Sequence, residues 1–196
     1  MRSRTLLASL FLLPPTMAPT IAAEVQSFEA RVVAIHSGDT VTVLDGNLER
    51  HKVRLAGIDA PRKAQPFGER ARRNLARALY SKDVRVEWER RDGNGRLVAR
   101  LWVAPPELNC RRPACPKTLD VSLTQIASGL AWHFEPYETA QVTGDHERYA
   151  SAEEEARARK TGLWSQPDPV PPWEWQPGSI DRPEQLSGSQ SLPEDR

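Results

Sequence analysis

Cysteine is scarce in this chain. Cys110 and Cys115 are its only two in 196 residues, and both sit in the proline-rich stretch Pro105-Pro106-Glu107-Leu108-Asn109-Cys110-Arg111-Arg112-Pro113-Ala114-Cys115-Pro116. In an oxidising compartment they are expected to close a short structural bridge, whereas a zinc site would need two further ligands that the neighbouring residues lack. Histidine is sparse as well. His36 and His133 have no further ligating residue at short spacing, so both read as structural or surface residues. Long apolar runs are missing: the stretch from Leu6 to Leu13 is too short for a span of about 20 residues and is broken by Pro14 and Pro15. A strong excess of charge is also missing, with a formal net charge of +1, which permits nucleic-acid binding without requiring it.

The ends differ from the middle. Arg2 and Arg4, the apolar run, then Ala22 and Ala23 have the layout of an export signal over residues 1–23. Its removal leaves 25 basic and 26 acidic residues, and the protein is expected to be exported, to a periplasm or to the medium. Residues 24–165 are long enough for one domain and carry a net +3. Residues 166–196 hold six acids against Arg182 and Arg196, many prolines, and few apolar residues apart from Trp173 and Trp175. They read as a disordered tail after a short extended stretch.

Within the domain, residues 28–36, 40–44 and 48–58 alternate as strands of a meander, with turns at Ser37-Gly38-Asp39 and Asp45-Gly46-Asn47. Residues 68–80 have helical spacing, with Ala71, Leu75, Ala78 and Leu79 on one face. Residues 83–89 and 97–103 form a hairpin across Arg91-Asp92-Gly93-Asn94-Gly95-Arg96, and helices follow over 120–128 and 145–160. Glu153 with Arg157, and Glu155 with Arg159, support an exposed final helix. This order implies an α+β, mainly β domain: a five-stranded Greek-key barrel of the OB-fold kind with about three helices.

Oxygen ligands at strand ends suit a hard cation, and guanidinium forks match phosphate oxygens two at a time. Asp39, Arg54, Asp59 and Arg96 supply both types, each competing with a blander role at a turn or on the surface. The chain resembles the staphylococcal nuclease (thermonuclease) family from about Glu29 to Trp164. The resemblance is carried in order by Gly38-Asp39-Thr40, Arg54-Leu55, Asp59-Ala60-Pro61, Gln65-Pro66-Phe67-Gly68, Gly95-Arg96, Gly129-Leu130-Ala131 and Thr161-Gly162-Leu163-Trp164. It implies a calcium-dependent phosphodiesterase acting on DNA or RNA. Asp39, Asp59 and the Ala60 carbonyl would hold Ca2+, and Arg54 and Arg96 would be the catalytic arginines. Tyr137 falls near the family's nucleotide-facing tyrosines, where core packing is the competing role.

The chain departs from the family at Arg62, where the family has its general-base glutamate. A guanidinium accepts no proton, and its positive charge opposes a nearby cation. Glu69, the nearest acid downstream, opens a helix, where the dipole already favours it. Arg62 and Lys63 read most simply as phosphate contacts on an exposed loop. Two classes of function therefore stand: a hydrolase weakened by loss of its base, or a non-catalytic barrel that binds nucleic acid or a protein partner. The default oligomeric state is a monomer.

Overall fold

The computed structural model describes residues 25–108, 115–134 and 145–177. The expected export signal over residues 1–23, Cys110, Tyr137 and residues 178–196 lie outside them. In chain order the elements are β1 (Gln26–Ile35), β2 (Thr40–Asp45), β3 (Arg50–Leu55), β4 (Ile58–Asp59), α1 (Gly68–Leu79), β5 (Asp83–Arg91), β6 (Leu97–Val103), β7 (Leu119–Asp120), α2 (Val121–Ala127), β8 (Trp132–His133) and α3 (Asp145–Ala158).

β1, β2 and β3 form the antiparallel meander, β5 pairs with the other edge of β1, and β5 and β6 form a hairpin. A parallel pairing of β3 with β6, Arg54 opposite Val98, closes the five strands into a mixed barrel. The expected mainly β, OB-fold architecture with three helices is therefore present. Period-two alternation builds its interior: Val41, Val43, Val53, Leu55, Val84, Val86, Leu97, Ala99 and Leu101 are all buried. α1 closes one end with Ala71, Leu75 and Leu79. α2 and α3 meet through Tyr149, whose hydroxyl donates to Asp120 Oδ2 at 2.8 Å, while Asp120 caps α2. On α3, Glu153 pairs with Arg157 and Glu155 with Arg159, both at 3.3 Å.

One expectation is corrected. Residues 48–58 are not one strand, because Gly57 adopts φ 72° and breaks the run after Leu55. The chain turns there, and β4 leaves the barrel to pair with β8, Ile58 opposite His133 and Asp59 opposite Trp132. The short stretch expected between residue 165 and the tail is anchored on the domain. The Val170 carbonyl accepts a hydrogen bond from Gln65 Nε2 at 2.6 Å, and Trp173 stacks on Phe134 with ring centroids 4.6 Å apart. In this otherwise polar stretch one tryptophan and one carbonyl find partners on the domain.

The turn before β2 is locked from three sides. Buried Gln125 on α2 donates from Nε2 to the carbonyls of Gly38 (2.7 Å) and Ala71 (3.2 Å), and its Oε1 accepts from Asn74. A Cβ on Gly38 would lie 2.6 Å from that of Ala71 and 2.7 Å from that of Ala60. Gly38→Ala is expected to lower stability by about 1–3 kcal/mol, since α1 or the residue 60 segment must move. Chemical denaturation measures this directly, and an unchanged midpoint would contradict the close approach.

Candidate active site

Three elements converge at one end of the barrel. Asp39 enters from the turn before β2, Arg54 from the non-core face of β3, and Asp59 from β4. The Gly57 break turns the chain so that Asp59 comes back beside Arg54. The Asp39 carbonyl accepts from Leu55 N at 2.8 Å, so the turn is fastened to the end of β3.

Asp39 is buried and fully engaged. Oδ1 accepts from Ser37 Oγ (2.6 Å) and Thr40 Oγ1 (2.9 Å), and Oδ2 accepts from the Ala60 amide (3.2 Å) and Arg54 Nη1 (3.3 Å). Burial opposes its ionisation. The Arg54 charge and the hydrogen bonds from Ser37, Ala60 and Thr40 outweigh that and hold its carboxyl below the ordinary value.

Asp59 is as deeply buried and less well served. Arg54 Nη2 lies 3.3 Å from Oδ1 and Arg62 Nη2 lies 3.5 Å from Oδ2. Although Arg54 is near, Oδ1 makes no hydrogen bond, because the contact lacks the alignment one needs. Burial pushes the Asp59 carboxyl up to about 6 despite the Arg54 charge. The neighbouring Asp39 carboxylate adds to the rise, and Arg62 subtracts from it.

Asp39, Arg54 and Asp59 thus come together as expected, and Arg62 joins them rather than pointing into solvent. Lys63 is exposed on the same loop. Arg96 is not part of the cluster. It shares the non-core face of the sheet with Arg54, through the pairing of Arg54 with Val98, but its Nε donates to Asp92 Oδ2 at 2.7 Å across the hairpin turn. Glu69 pairs with Arg72 at 2.6 Å, as expected for an acid that serves its own helix. Cys115 is buried and is not a free thiol.

The sequence did not single out three supporting groups. Ser37 and Thr40 flank Asp39, and hydroxyls one and two residues from an aspartate are a readable signal of such a turn. Gln65 accepts from the Arg62 amide at 3.0 Å and fixes that loop. Its place in the Gln-Pro-Phe-Gly motif was the only hint.

A buried carboxylate oxygen without a hydrogen bond, in an aspartate pair whose charge is under-compensated, fits a hard cation bound through oxygen. Asp59 would contribute most to such a site, and Arg62 would have to withdraw. Among the described residues, the trio of candidate ligating side chains within 4.8 Å of one another lies elsewhere, at Asp45, Glu49 and His51 on the β2–β3 hairpin. There Asp45 accepts from the Asn47 and Glu49 amides and contacts His51 Nε2 at 2.9 Å, an arrangement that closes the turn.

Comparison with known proteins places this barrel in a nuclease family. Residues 52–166 match the family model described as staphylococcal nuclease homologue. The chain is 38% identical over 151 residues to the Escherichia coli protein ParB, covering 77% of this chain and 80% of that one. It is 36% identical over 153 residues to the micrococcal nuclease of Shigella flexneri, covering 78% and 82%. It is 32% identical over 157 residues to an uncharacterized endonuclease of Escherichia coli O157:H7, covering 80% and 88%. The chain belongs to the staphylococcal nuclease family, whose substrates are nucleic acids.

The folded protein holds a proton on Asp59 up to about pH 6, whereas an unfolded aspartate releases it near 3.8. Between these values the native state binds more protons than the unfolded one, so the metal-free protein should lose stability as pH rises from about 4 to 6. Asp59→Asn is expected to raise metal-free stability at pH 7 by about 2 kcal/mol and to flatten that pH dependence. Thermal unfolding in chelator at pH 4, 5, 6 and 7 tests it, and a variant less stable than wild type at pH 7 would contradict the assignment.

Proposed function

We propose that this chain is an exported, calcium-dependent endonuclease-type phosphodiesterase whose turnover is limited by Arg62. The convergence of Arg54 on two buried aspartates, in a member of a nuclease family, is the observation that supports it. Asp39, Asp59 and the Ala60 carbonyl would hold the ion. When bound, calcium supplies charge neutralisation at the phosphate, complementing the pair of carboxylates.

The chain's own residues do the rest. Arg54 has five N–H donors and spends contacts of two nitrogens on the carboxylates, so it can also meet a phosphate oxygen. There it would stabilise the charge that builds on the pentacoordinate phosphorus. Arg96 would reach the same phosphate only after leaving Asp92. Arg62 and Lys63 would receive the flanking phosphates of the strand, as would suit a DNA or RNA ligand. Arg62 cannot take a proton from water, and loss of a general base typically costs about 100- to 10,000-fold in rate.

A second reading draws on Arg62's contact with Asp59, which puts a positive charge where the cation would act. On that reading the barrel binds nucleic acid, or a protein partner, without cutting.

Cleavage of single-stranded and duplex DNA, measured with calcium and then with chelator, separates the two. The enzyme reading expects slow, chelator-sensitive cleavage that falls at least about 100-fold in Arg54→Ala. It also expects a gain of about 100-fold or more in Arg62→Glu. Binding that weakens steeply with salt, with no cleavage by either the wild type or Arg62→Glu, would overturn hydrolysis and leave the binding module. Export is tested by expressing the full chain and weighing the protein recovered outside the cytoplasm: a mass lacking residues 1–23 is expected.

A further inference from the structure

We propose that the segment following the family domain completes the substrate site, with Trp173 offering a stacking face for an unpaired base of a single strand whose phosphate lies at Arg54 and Arg62. The inference rests on the nuclease-type reading of that pocket and adds a base-contacting residue from outside the family domain. Residue 173 lies beyond the matched family region, which ends at residue 166.

The geometry is set by β4 and β8. Residues directly opposite in an antiparallel pair project to the same side, so Asp59 and Trp132 share one face of this ribbon. The Phe134 amide donates to the Gly57 carbonyl at 3.0 Å, which continues the pairing by one residue; Phe134, two residues from Trp132, falls on that face as well. Two residues of strand advance about 7 Å, so Phe134 stands about one strand repeat from the position opposite Asp59. Gly57 presents no side chain beside it.

Trp173 lies on Phe134 with rings inclined at 22°, and it meets Trp132 in an edge arrangement with ring centroids 6.5 Å apart. It is nonetheless 45% exposed. An indole held on two sides and still open to solvent is pre-organised, since little freedom remains to lose when a base stacks on it. A hydrogen-bond relay fastens the same segment to the phosphate-facing loop: Gln65 Oε1 accepts from the Arg62 amide and Gln65 Nε2 donates to the Val170 carbonyl. The Glu174 and Trp175 amides bond back to Pro171 O at 3.1 and 3.0 Å, forming the turn that presents Trp173. Half-exposed Arg62 and exposed Lys63 supply positive charge on the loop that Gln65 ties to this segment. Cations for the backbone beside an aromatic face for the base are what single-strand binding needs. A paired base keeps its faces stacked inside the duplex and has none to give.

The test is equilibrium binding in chelator, with the full-length protein and a labelled thymidine strand of about ten nucleotides, or the same strand in duplex form. Trp173→Ala is expected to weaken single-strand binding about 5- to 100-fold and leave duplex binding unchanged, with Trp173→Phe recovering most of the loss. A Trp173→Ala protein with native circular dichroism that binds the strand like wild type, or loses strand and duplex alike, would overturn the proposal. If Trp173→Ala does not fold, Trp173→Leu keeps apolar cover on Phe134 without an aromatic face and is judged by the same criteria. Cleavage abolished by Arg54→Ala, with strand affinity unmoved in Trp173→Ala, removes the platform and leaves the nuclease. Selective loss of strand binding in a chain that never cuts supports the platform and removes the nuclease.

Discussion

One guanidinium between two buried carboxylates is the constraint around which this domain is arranged. Taking an ion out of water costs on the order of several kcal/mol even after relaxation, and two like charges side by side add their repulsion. Arg54 answers both acids at 3.3 Å, and it can do so only because three separate stretches of chain are fixed to one another. Gly38 lets the turn come against Ala71 and Ala60, Gln125 ties its carbonyl to α1 and α2, and the Ala60 amide reaches back to Asp39. The scaffold therefore carries the electrostatic strain of the pocket.

That compensation is uneven, and the unevenness is informative. Asp39 has a hydrogen bond for each acceptor direction and sits comfortably as an anion. Asp59 has two guanidiniums close by, yet burial still drives it up to about 6, and one of its oxygens has no hydrogen bond. A pocket in this condition gains from further positive charge. Arg62 supplies some of it from a side chain that is about half exposed, so it would compete with any cation at Asp59 without filling the pocket.

The break at Gly57 links this pocket to the C-terminal half of the chain. Had 48–58 run on as one strand, Asp59 would have stayed in the barrel wall and β8 would have had no partner. As it is, β4 and β8 bring Trp132 opposite Asp59, and the aromatic cluster around Trp132 gathers Trp164, Phe134 and Trp173. The residues after the family domain are thereby drawn toward the site. Composition gave no sign of this, because Pro, Ser and Glu dominate that stretch and two tryptophans weigh little in an average.

Local rules were enough for most of the fold. Alternation of Val41, Val43, Val53 and Leu55, the helical spacing of Ala71, Leu75 and Leu79, and the Asp-Gly-Asn-Gly turn before Arg96 each express a preference that acts over a few residues. Ordered motifs then pointed to Asp39, Arg54 and Asp59. Spacing along a chain carries no information about the direction in which a side chain closes. That Arg96 turns to Asp92 rather than to the aspartate pair, that Arg62 leans on Asp59, and that Gln65 reaches Val170 depend on contacts between residues brought together by folding. The sequence by itself determined the barrel and drew attention to Asp39, Arg54 and Asp59; the tertiary structure alone decided that Arg96 stays outside their pocket and that Arg62 enters it, because such pairing is settled by distances of a few ångströms between groups that only folding brings together.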